Sequence, residues 1–320
     1  MNTSPNSLKK ITEYIRAAKN GDFSKGLAVV PGLLKGKGRD EVVELAEAVQ
    51  QLVDGYRSAL EKLNHESALE DQMRISHVIQ SSLLPSSLPE VEGLEFDAFY
   101  KPAQEIGGDY YDFIEIDPTH LGIVVADVSG KSISGAMLMT IVRNTLRTQA
   151  MLTLSPREVL ERTNTLLLPN MKLGFFVSIF YAVLDKNTKR LVCANAGHPP
   201  LLFMHSREDR HEWIKPKGIA LGLLRGNGFL SKVEEQEVGL ENGDFIFLHT
   251  DGVTDVVSEE GLRFGRDRIA EVAHEMSPRG ACAFLGKLEN ILVGFGSQGF
   301  QPDDMTAVVF GRKKKGEFHV

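Results

Sequence analysis

The apolar run from Phe175 to Leu184 (FFVSIFYAVL) restricts the possible folds of this 320-residue chain more than any other segment. Side chains alternate between the two faces of an extended strand, and in this run both faces are almost entirely apolar. Such a strand must be covered on both sides, which places it at the centre of a layered structure. The run has about half of the roughly 20 residues that a membrane-spanning helix requires. We therefore predict a buried central strand and no membrane segment in this chain.

Strand-like and helical patterns alternate in groups from about Leu94 onward. Strands grouped in meanders, with paired helices between them, favour an α+β sandwich over a βαβ array. Helical periodicity is predicted for residues 135–149, 156–168, 266–276 and 280–293. The other strand-like runs are FDAFYKPA, YYDFIEI, HLGIVVADV, KRLVCANAG, PLLFMH, FIFLHT and MTAVVFG.

The N-terminal part of the chain is predicted to be helical. A heptad pattern begins after Asp40 and continues for three heptads, which is typical of a coiled coil. The simplest cover for its apolar stripe is the same stripe on a second copy, so we predict a homodimer; packing onto the larger domain is the alternative. Helical periodicity then continues until Pro85 ends it. The stripe consists of Val42, Leu45, Val49, Leu52, Tyr56, Ala59 and Leu63, and the later helix carries Ile75, Ile79, Leu83 and Leu84.

Four strand ends or turns carry acidic residues beside glycine or polar residues. Each one alone is typical of a turn or a helix N-cap. Together they are costly to bury, because clustered carboxylates repel each other unless a cation offsets their charge. Oxygen ligands without His or Cys favour Mg²⁺ or Mn²⁺ over Zn²⁺. The acids are Asp109 in EIGGDYYDF, Asp127 in VVADVSGK, Asp251 in LHTDGVTD, and Asp303 and Asp304 in QPDDMTAVVF.

Charge and cysteine content argue against several other classes of protein. The formal net charge of -7 is opposite to the basic surplus of a nucleic-acid-binding face, so we predict no nucleic-acid partner. Cys193 and Cys282 lie far apart without metal-ligand spacing, which is typical of a reducing compartment. Neither cysteine begins a Cys-x5-Arg phosphatase loop, and the glycine-rich segments lack the P-loop order. We predict a cytoplasmic protein.

Five motifs, EIGGDYYDF, ADVSGKSISGAM, NAGHPPLLF, HTDGVTD and DDMTAVVF, resemble those of the metal-dependent PPM protein phosphatases in order and spacing. The resemblance covers about residues 75–311 and is closest to the bacterial SpoIIE/RsbU branch of serine/threonine phosphatases. It implies a β-sandwich flanked by paired helices. The preceding helices, at about residues 7–60, resemble a HAMP signalling module. The implied division is a HAMP-like module at residues 1–62, a regulatory helical linker at 63–90, a phosphatase domain at 91–312 and a tail at 313–320.

The resemblance also implies a centre of two Mn²⁺ or Mg²⁺ ions, with Asp109 and Asp127 as catalytic carboxylates. Asp127 would bridge the two ions, and the main-chain carbonyl of Val128 would add a ligand. Asp251 and Asp303 would bind one ion directly, whereas Asp109 would bind directly or through water. Asp112, Asp255 and Asp304 are predicted to lie around these ligands or at a weaker third metal site.

Two further residues have open assignments. The cationic residue with which the family binds phosphate from its first strand has no evident match, and Lys101 is the nearest basic candidate. His198, in NAGHPPLLF, fits either a general acid or a hydrogen-bonded structural histidine in a turn.

The predicted function is hydrolysis of phosphoserine or phosphothreonine on a phosphorylated STAS-domain protein in a partner-switching pathway, regulated through the N-terminal helices. One alternative is a sensor or scaffold that kept the phosphatase fold for binding without turnover. Another is a hydrolase of small phosphoesters. The four predicted metal carboxylates favour an enzyme over a scaffold, and the helical module favours a protein substrate.

Overall fold

The computed structural model describes residues 80, 82–103, 107–129, 133–171, 174–224, 227–296, 301 and 303–314. The predicted helical module at residues 1–62 and its homodimer contact lie outside the described residues. So do Ile75 and Ile79 of the predicted linker, and residues 315–320 of the predicted tail.

The described residues form two antiparallel sheets of five strands each. Sheet I has the order β1-β10-β9-β6-β7, and sheet II has the order β2-β3-β4-β5-β8. The strands of sheet I are β1 (Leu94–Lys101), β6 (Leu201–His205), β7 (Arg210–Ile214), β9 (Phe245–His249) and β10 (Met305–Arg312). Those of sheet II are β2 (Asp109–Asp117), β3 (His120–Val128), β4 (Val177–Asp185), β5 (Arg190–Ala196) and β8 (Glu235–Gly239).

Two pairs of helices cover the outer faces of the sheets. One pair, α1 and α2, packs on sheet II, and the other, α5 and α6, packs on sheet I. The predicted α+β sandwich flanked by paired helices is therefore confirmed. The helices among the described residues are α1 (Ile133–Ala150), α2 (Pro156–Leu167), α3 (Asn227–Leu230), α4 (Asp251–Thr254), α5 (Gly265–Met276) and α6 (Ala281–Phe295), with short 3-10 turns at Leu168–Asn170 and Ser277–Arg279.

The apolar run from Phe175 to Leu184 includes every residue of β4 except the last, and β4 is the middle strand of sheet II. Every residue of β4 except the last is buried. Phe180 and Leu184 face sheet I across the core between the sheets, whereas Ile179 and Tyr181 pack against α1 and α2. The prediction of a central strand covered on both sides is confirmed.

Strands β7 and β8 were not predicted from the sequence. Their sequences, RHEWI and EQEVG, are polar at most positions. Each is the edge strand of its sheet, so one side of its backbone has no neighbouring strand and its side chains are partly exposed. An edge strand needs little apolar character, and polar side chains there discourage unwanted pairing.

The end of the predicted linker lies on the folded domain. Leu84 is partly buried and packs on the cluster formed by sheet II, α1 and α2, and Leu83 is also partly buried. No helix among the described residues is both long and apolar enough to cross a membrane.

Candidate active site

Asp109 and Asp127 lie side by side on neighbouring strands. Asp109 begins β2, Asp127 is the penultimate residue of β3, and the two are direct partners in the antiparallel register. Asp109 is only 2% exposed. The hairpin of β2 and β3 therefore brings together the two acids that were predicted to be catalytic.

Two threonines of sheet I fix the Asp109 carboxylate. The hydroxyl of Thr250, just after β9, donates to Asp109 Oδ2 at 2.7 Å. The hydroxyl of Thr306, in β10, donates to the same oxygen at 2.6 Å. Asp109 belongs to sheet II, so these bonds join the two sheets at the candidate site. Both threonines were missed in the sequence analysis, although they stand in the quoted motifs HTDGVTD and DDMTAVVF.

The electrostatics of Asp109 favour a bound cation. Burial raises the pKa of its carboxyl well above the ordinary value, and repulsion from Asp127 and from Asp304 raises the pKa further. The hydrogen bonds from Thr306 and Thr250 act in the opposite direction. A cation between these carboxylates would offset both the burial and the repulsion.

Gly108 allows the backbone to approach closely behind this pair. A Cβ atom at Gly108 would lie 2.5 Å from the carbonyl oxygen of Val128 and 3.7 Å from Asp127 Oδ1. The Val128 amide donates to the Gly108 carbonyl at 3.2 Å. The predicted carbonyl ligand of Val128 therefore lies beside Asp127, where a larger residue than glycine would displace it.

Asp251 and Asp303 come together where β9 ends and β10 begins. Asp251 stands two residues after the end of β9 and is the first residue of the one-turn helix α4. A Cβ at Gly252 would lie 3.3 Å from the Cβ of Asp303 and far inside van der Waals contact with the carbonyl of Asp304. Asp303 Oδ1 accepts a hydrogen bond from the Asp304 amide at 2.9 Å.

Asp304, close to Asp109, holds the neighbouring backbone through its carboxylate. Its side chain is buried, and Oδ1 accepts from the Ala103 amide at 2.8 Å while Oδ2 accepts from the Gly108 amide at 2.6 Å. Both oxygens therefore hold the chain on either side of the segment between β1 and β2. This position fits the prediction that Asp304 lies around the ligands.

The donor set suits a hard cation. It comprises the carboxylates of Asp109, Asp127, Asp251 and Asp303 and the carbonyl of Val128, all oxygen atoms. Among the described residues, no group of three or more His, Cys, Asp or Glu side chains is already placed to hold a metal ion. The number of ions stays a prediction.

Asp112 is not part of this arrangement. It lies three residues after Asp109 on β2, hence on the opposite face, where Arg147 of α1 binds it through Nε at 2.6 Å and Nη2 at 3.0 Å. The Tyr110 hydroxyl also donates to Asp112 at 2.5 Å. These contacts make Asp112 a link between β2 and α1 and explain this acid without a metal, and its predicted role near the metal stays a prediction.

Replacing Arg147 with Gln tests whether Asp112 serves as this link. We expect the free energy of unfolding, measured in urea, to fall by roughly 1.5 kcal/mol, because a buried carboxylate loses a charged donor. The Arg147 side chain is 40% exposed, so the loss should lie at the low end of the energies typical of hydrogen bonds to charged groups. The Mn²⁺ concentration for half-maximal activity should not change, and a large shift in that concentration would favour the predicted role of Asp112 near the metal. Arg162→Gln on α2, where Arg162 pairs with the exposed Glu158, is the control.

Asp255 also has a different partner. It follows α4, and its carboxylate pairs with Arg263 at 3.1 Å on the surface. Its predicted role around the ligands stays a prediction, and the geometry shows an ion pair that explains this acid without a metal.

His198 is a buried, neutral histidine. Its Nδ1 lies 2.8 Å from the Ser178 hydroxyl, and its amide donates to Asn195 Oδ1 at 2.9 Å. Burial, followed by repulsion from His249, lowers the pKa of His198 to about 3. The imidazole is therefore uncharged at neutral pH, which favours the structural alternative over the general acid.

This histidine should make the fold sensitive to acid. Its pKa is lowered on folding from the ordinary 6.5 to about 3, so between these values the unfolded chain binds a proton that the folded chain excludes. Stability should then fall as pH falls from about 6.5 toward 3, by up to about 1.4 kcal/mol per pH unit. Urea unfolding at pH 7 and pH 5 should show a smaller loss for His198→Gln than for the wild type. Equal losses would contradict this assignment.

A cavity of about 360 Å³ opens beside the acids. Asp127 and Asp251 line it together with Ser178, His249, Lys215 and Arg266. The two cations were missed in the sequence analysis, since Lys215 in WIKPKG and Arg266 in FGRDR belong to no distinctive motif. Lys101, the predicted candidate, does not line this cavity; it is exposed at the end of β1.

Comparison with known proteins agrees with the fold and with the order of the motifs. Residues 117–313 match the family model of stage II sporulation protein E (SpoIIE). The phosphoserine phosphatase RsbU of Bacillus subtilis is 28% identical over 246 residues, which cover 77% of this chain and 71% of RsbU.

Two solved structures share the fold. The SiaA-PP2C domain of Pseudomonas aeruginosa has 21% identity and a TM-score of 0.67 and covers 77% of this chain and 98% of its own. The RsbU and RsbW domains of Rv1364c from Mycobacterium tuberculosis have 24% identity and a TM-score of 0.60, and the match spans 72% of this chain and 63% of that one. Because the family model matches more than half of the chain, the protein belongs to the SpoIIE family and carries its PPM-type phosphatase domain.

Proposed function

We propose that this chain is a metal-dependent phosphatase that hydrolyses phosphoserine or phosphothreonine on a bacterial regulatory protein. The observation that carries the proposal is that one acid of each pair, Asp127 beside Asp109 and Asp251 beside Asp303, lines a cavity that also holds two cationic side chains. The similarity to RsbU, a phosphoserine phosphatase, supports the same chemistry.

Asp109, Asp127, Asp251, Asp303 and the Val128 carbonyl would hold two Mn²⁺ or Mg²⁺ ions. The chemistry that such ions supply is charge neutralisation and the activation of water for in-line attack at phosphorus. Thr250 and Thr306 orient the carboxylate of Asp109, and their donated hydrogen bonds favour its ionised form.

Phosphate release tests the proposal directly. The purified full chain should release phosphate from a phosphoserine peptide and from p-nitrophenyl phosphate when Mn²⁺ is present, and EDTA should stop the release. Release from neither compound with Mn²⁺ or Mg²⁺ would leave the binding-only alternative. Release from p-nitrophenyl phosphate alone, with no release from the phosphoserine peptide, would favour a small phosphoester as substrate.

The proposed substrate in the cell is a phosphorylated STAS-domain protein of a partner-switching pathway. This proposal rests on the resemblance to the SpoIIE/RsbU branch and on the similarity to RsbU. A phosphoprotein pull-down with a variant that lacks a metal ligand would test it. A cytoplasmic location stays a prediction from composition.

Regulation through the N-terminal helices is proposed from the HAMP-like pattern and the packing of Leu84 on the folded domain. Deleting residues 1–65 should change the turnover number or the Mn²⁺ requirement, because the linker would lose the helices that position it. Analytical ultracentrifugation of the same deletion should show loss of the proposed homodimer. Unchanged kinetics would contradict the regulatory role, and an unchanged dimer would contradict the assembly.

A further inference from the structure

The cavity beside the candidate site has walls of opposite charge. Asp127 and Asp251 lie on it, and so do the cationic side chains of Lys215 and Arg266. A phosphate group that enters this cavity would carry its own negative charge toward two carboxylates. Cations in the same cavity would offset that repulsion and hold the phosphate.

Lys215 is held in place by its neighbours along the chain. It follows β7 directly, between the buried residues Ile214 and Pro216, and its own side chain is exposed. In the part of the chain that the structure describes, no salt bridge uses Lys215, whereas Lys217, two residues on, pairs with Glu234 at 3.2 Å. The charge of Lys215 is therefore available to a ligand.

Arg266 is held by an aromatic ring. Its guanidinium carbon lies 5.7 Å from the ring centroid of Trp213 in β7, within the range of a cation–π contact. Arg266 stands in the first turn of α5, where the helix dipole disfavours a positive charge. Helix stability thus does not explain an arginine here, and no salt bridge among the described residues engages it.

The remaining wall of the cavity suits a peptide. Phe176 is 40% exposed and lines the cavity together with Pro199 and Pro200. An exposed aromatic side chain beside two prolines offers an apolar surface that a small phosphoester would not cover. A peptide with residues on either side of a phosphoserine would cover it.

We propose that Lys215 and Arg266 recognise the phosphate dianion of a phosphoserine peptide and so determine substrate specificity at the proposed phosphatase site. Arginine offers two parallel donors to one phosphate, and lysine offers a compact charge. This inference rests on the proposed function. Lys215 and Arg266 would take the phosphate-binding role for which Lys101 was the sequence candidate.

Measuring peptide binding tests the proposed role of Lys215 and Arg266 without depending on catalytic turnover. The probe is a fluorescein-labelled phosphoserine peptide, with its unphosphorylated form for comparison, and fluorescence anisotropy gives the dissociation constant. The full chain carries Asp127→Asn so that the probe is not consumed, and Mn²⁺ is present throughout. Adding Lys215→Gln or Arg266→Gln should raise the dissociation constant of the phosphorylated probe about tenfold.

Matched controls remove the same charge elsewhere. Lys217→Gln and Arg207→Gln, both exposed and outside the cavity, should leave the dissociation constant within about twofold, because surface charges contribute little. Phe176→Ala should weaken both forms of the probe alike. Equal effects of all four charge changes, or equal affinity of the parent for the two forms, would overturn the inference. Phosphate release by the wild type is measured in parallel, so its absence refutes the proposed function and leaves the binding comparison to decide on the two cations.

Discussion

Replacing Asp127 with Asn should reduce Mn²⁺-dependent hydrolysis of p-nitrophenyl phosphate by about 100-fold or more, since loss of a residue that only orients a metal ligand already costs about 10- to 100-fold. Asp127 is the cross-strand partner of Asp109, raises the pKa of Asp109 by repulsion and lines the cavity. An amide in its place keeps the shape of the side chain but removes the charge that would hold a cation at the centre of the site.

The control for this substitution is Asp209→Asn. Asp209 is exposed in the turn between β6 and β7, at a φ of 48° that asparagine tolerates, and the change removes the same charge. The control should retain wild-type activity. Equal rates for the wild type and Asp127→Asn, with Mn²⁺ present, would exclude the proposed metal chemistry.

Replacing Gly252 with Ala should disrupt the site without removing any acid. A Cβ at this position collides with the carbonyl of Asp304 and crowds the Cβ of Asp303. Backbone atoms cannot rotate away, so α4 or the start of β10 must shift. We expect a loss of stability of roughly 1–3 kcal/mol and loss of most of the activity, because Asp251 and Asp303 would move apart.

Gly286→Ala provides the comparison for this change. Gly286 lies in α6, and a Cβ there meets nothing within 4 Å. This variant should gain up to about 1 kcal/mol, since alanine is the better helix former. Thermal unfolding and p-nitrophenyl phosphate hydrolysis of both variants give the answer. A Gly252→Ala protein that keeps wild-type stability and activity would contradict the packing of α4 described above.

The sequence predicts the parts of this fold that depend on apolar periodicity. β4 is recognisable because both of its faces are apolar, and α1, α2, α5 and α6 follow helical spacing within a few residues of their observed bounds. β7 and β8 are not recognisable, because the edge of a sheet imposes no apolar pattern on short strands. α4 is missed for a related reason: one helical turn is too short to show a period.

Some residues of the candidate site could also be predicted from the sequence and others could not. Asp109, Asp127, Asp251 and Asp303 stand out in sequence because an acid next to an apolar strand-like run, either before or after it, is unusual. Lys215 and Arg266 do not stand out, because their shared cavity depends on how β7 and α5 pack in space. The motif around Asp112 cannot show that this acid faces α1 and binds Arg147, because that contact depends on how α1 packs on β2.

The hydrogen bonds from Thr250 and Thr306 to Asp109 connect the two sheets of the sandwich at the candidate site. On the proposed assignment, the metal ions would be bound by Asp109 and Asp127 of sheet II and by Asp251 and Asp303 next to strands of sheet I. Sliding of one sheet over the other would therefore weaken ion binding. By thermodynamic linkage, ion binding would resist that sliding and raise the melting temperature. A partner protein or helix that displaces one sheet relative to the other would then weaken ion binding and reduce the rate of hydrolysis, without contacting any of the acidic residues.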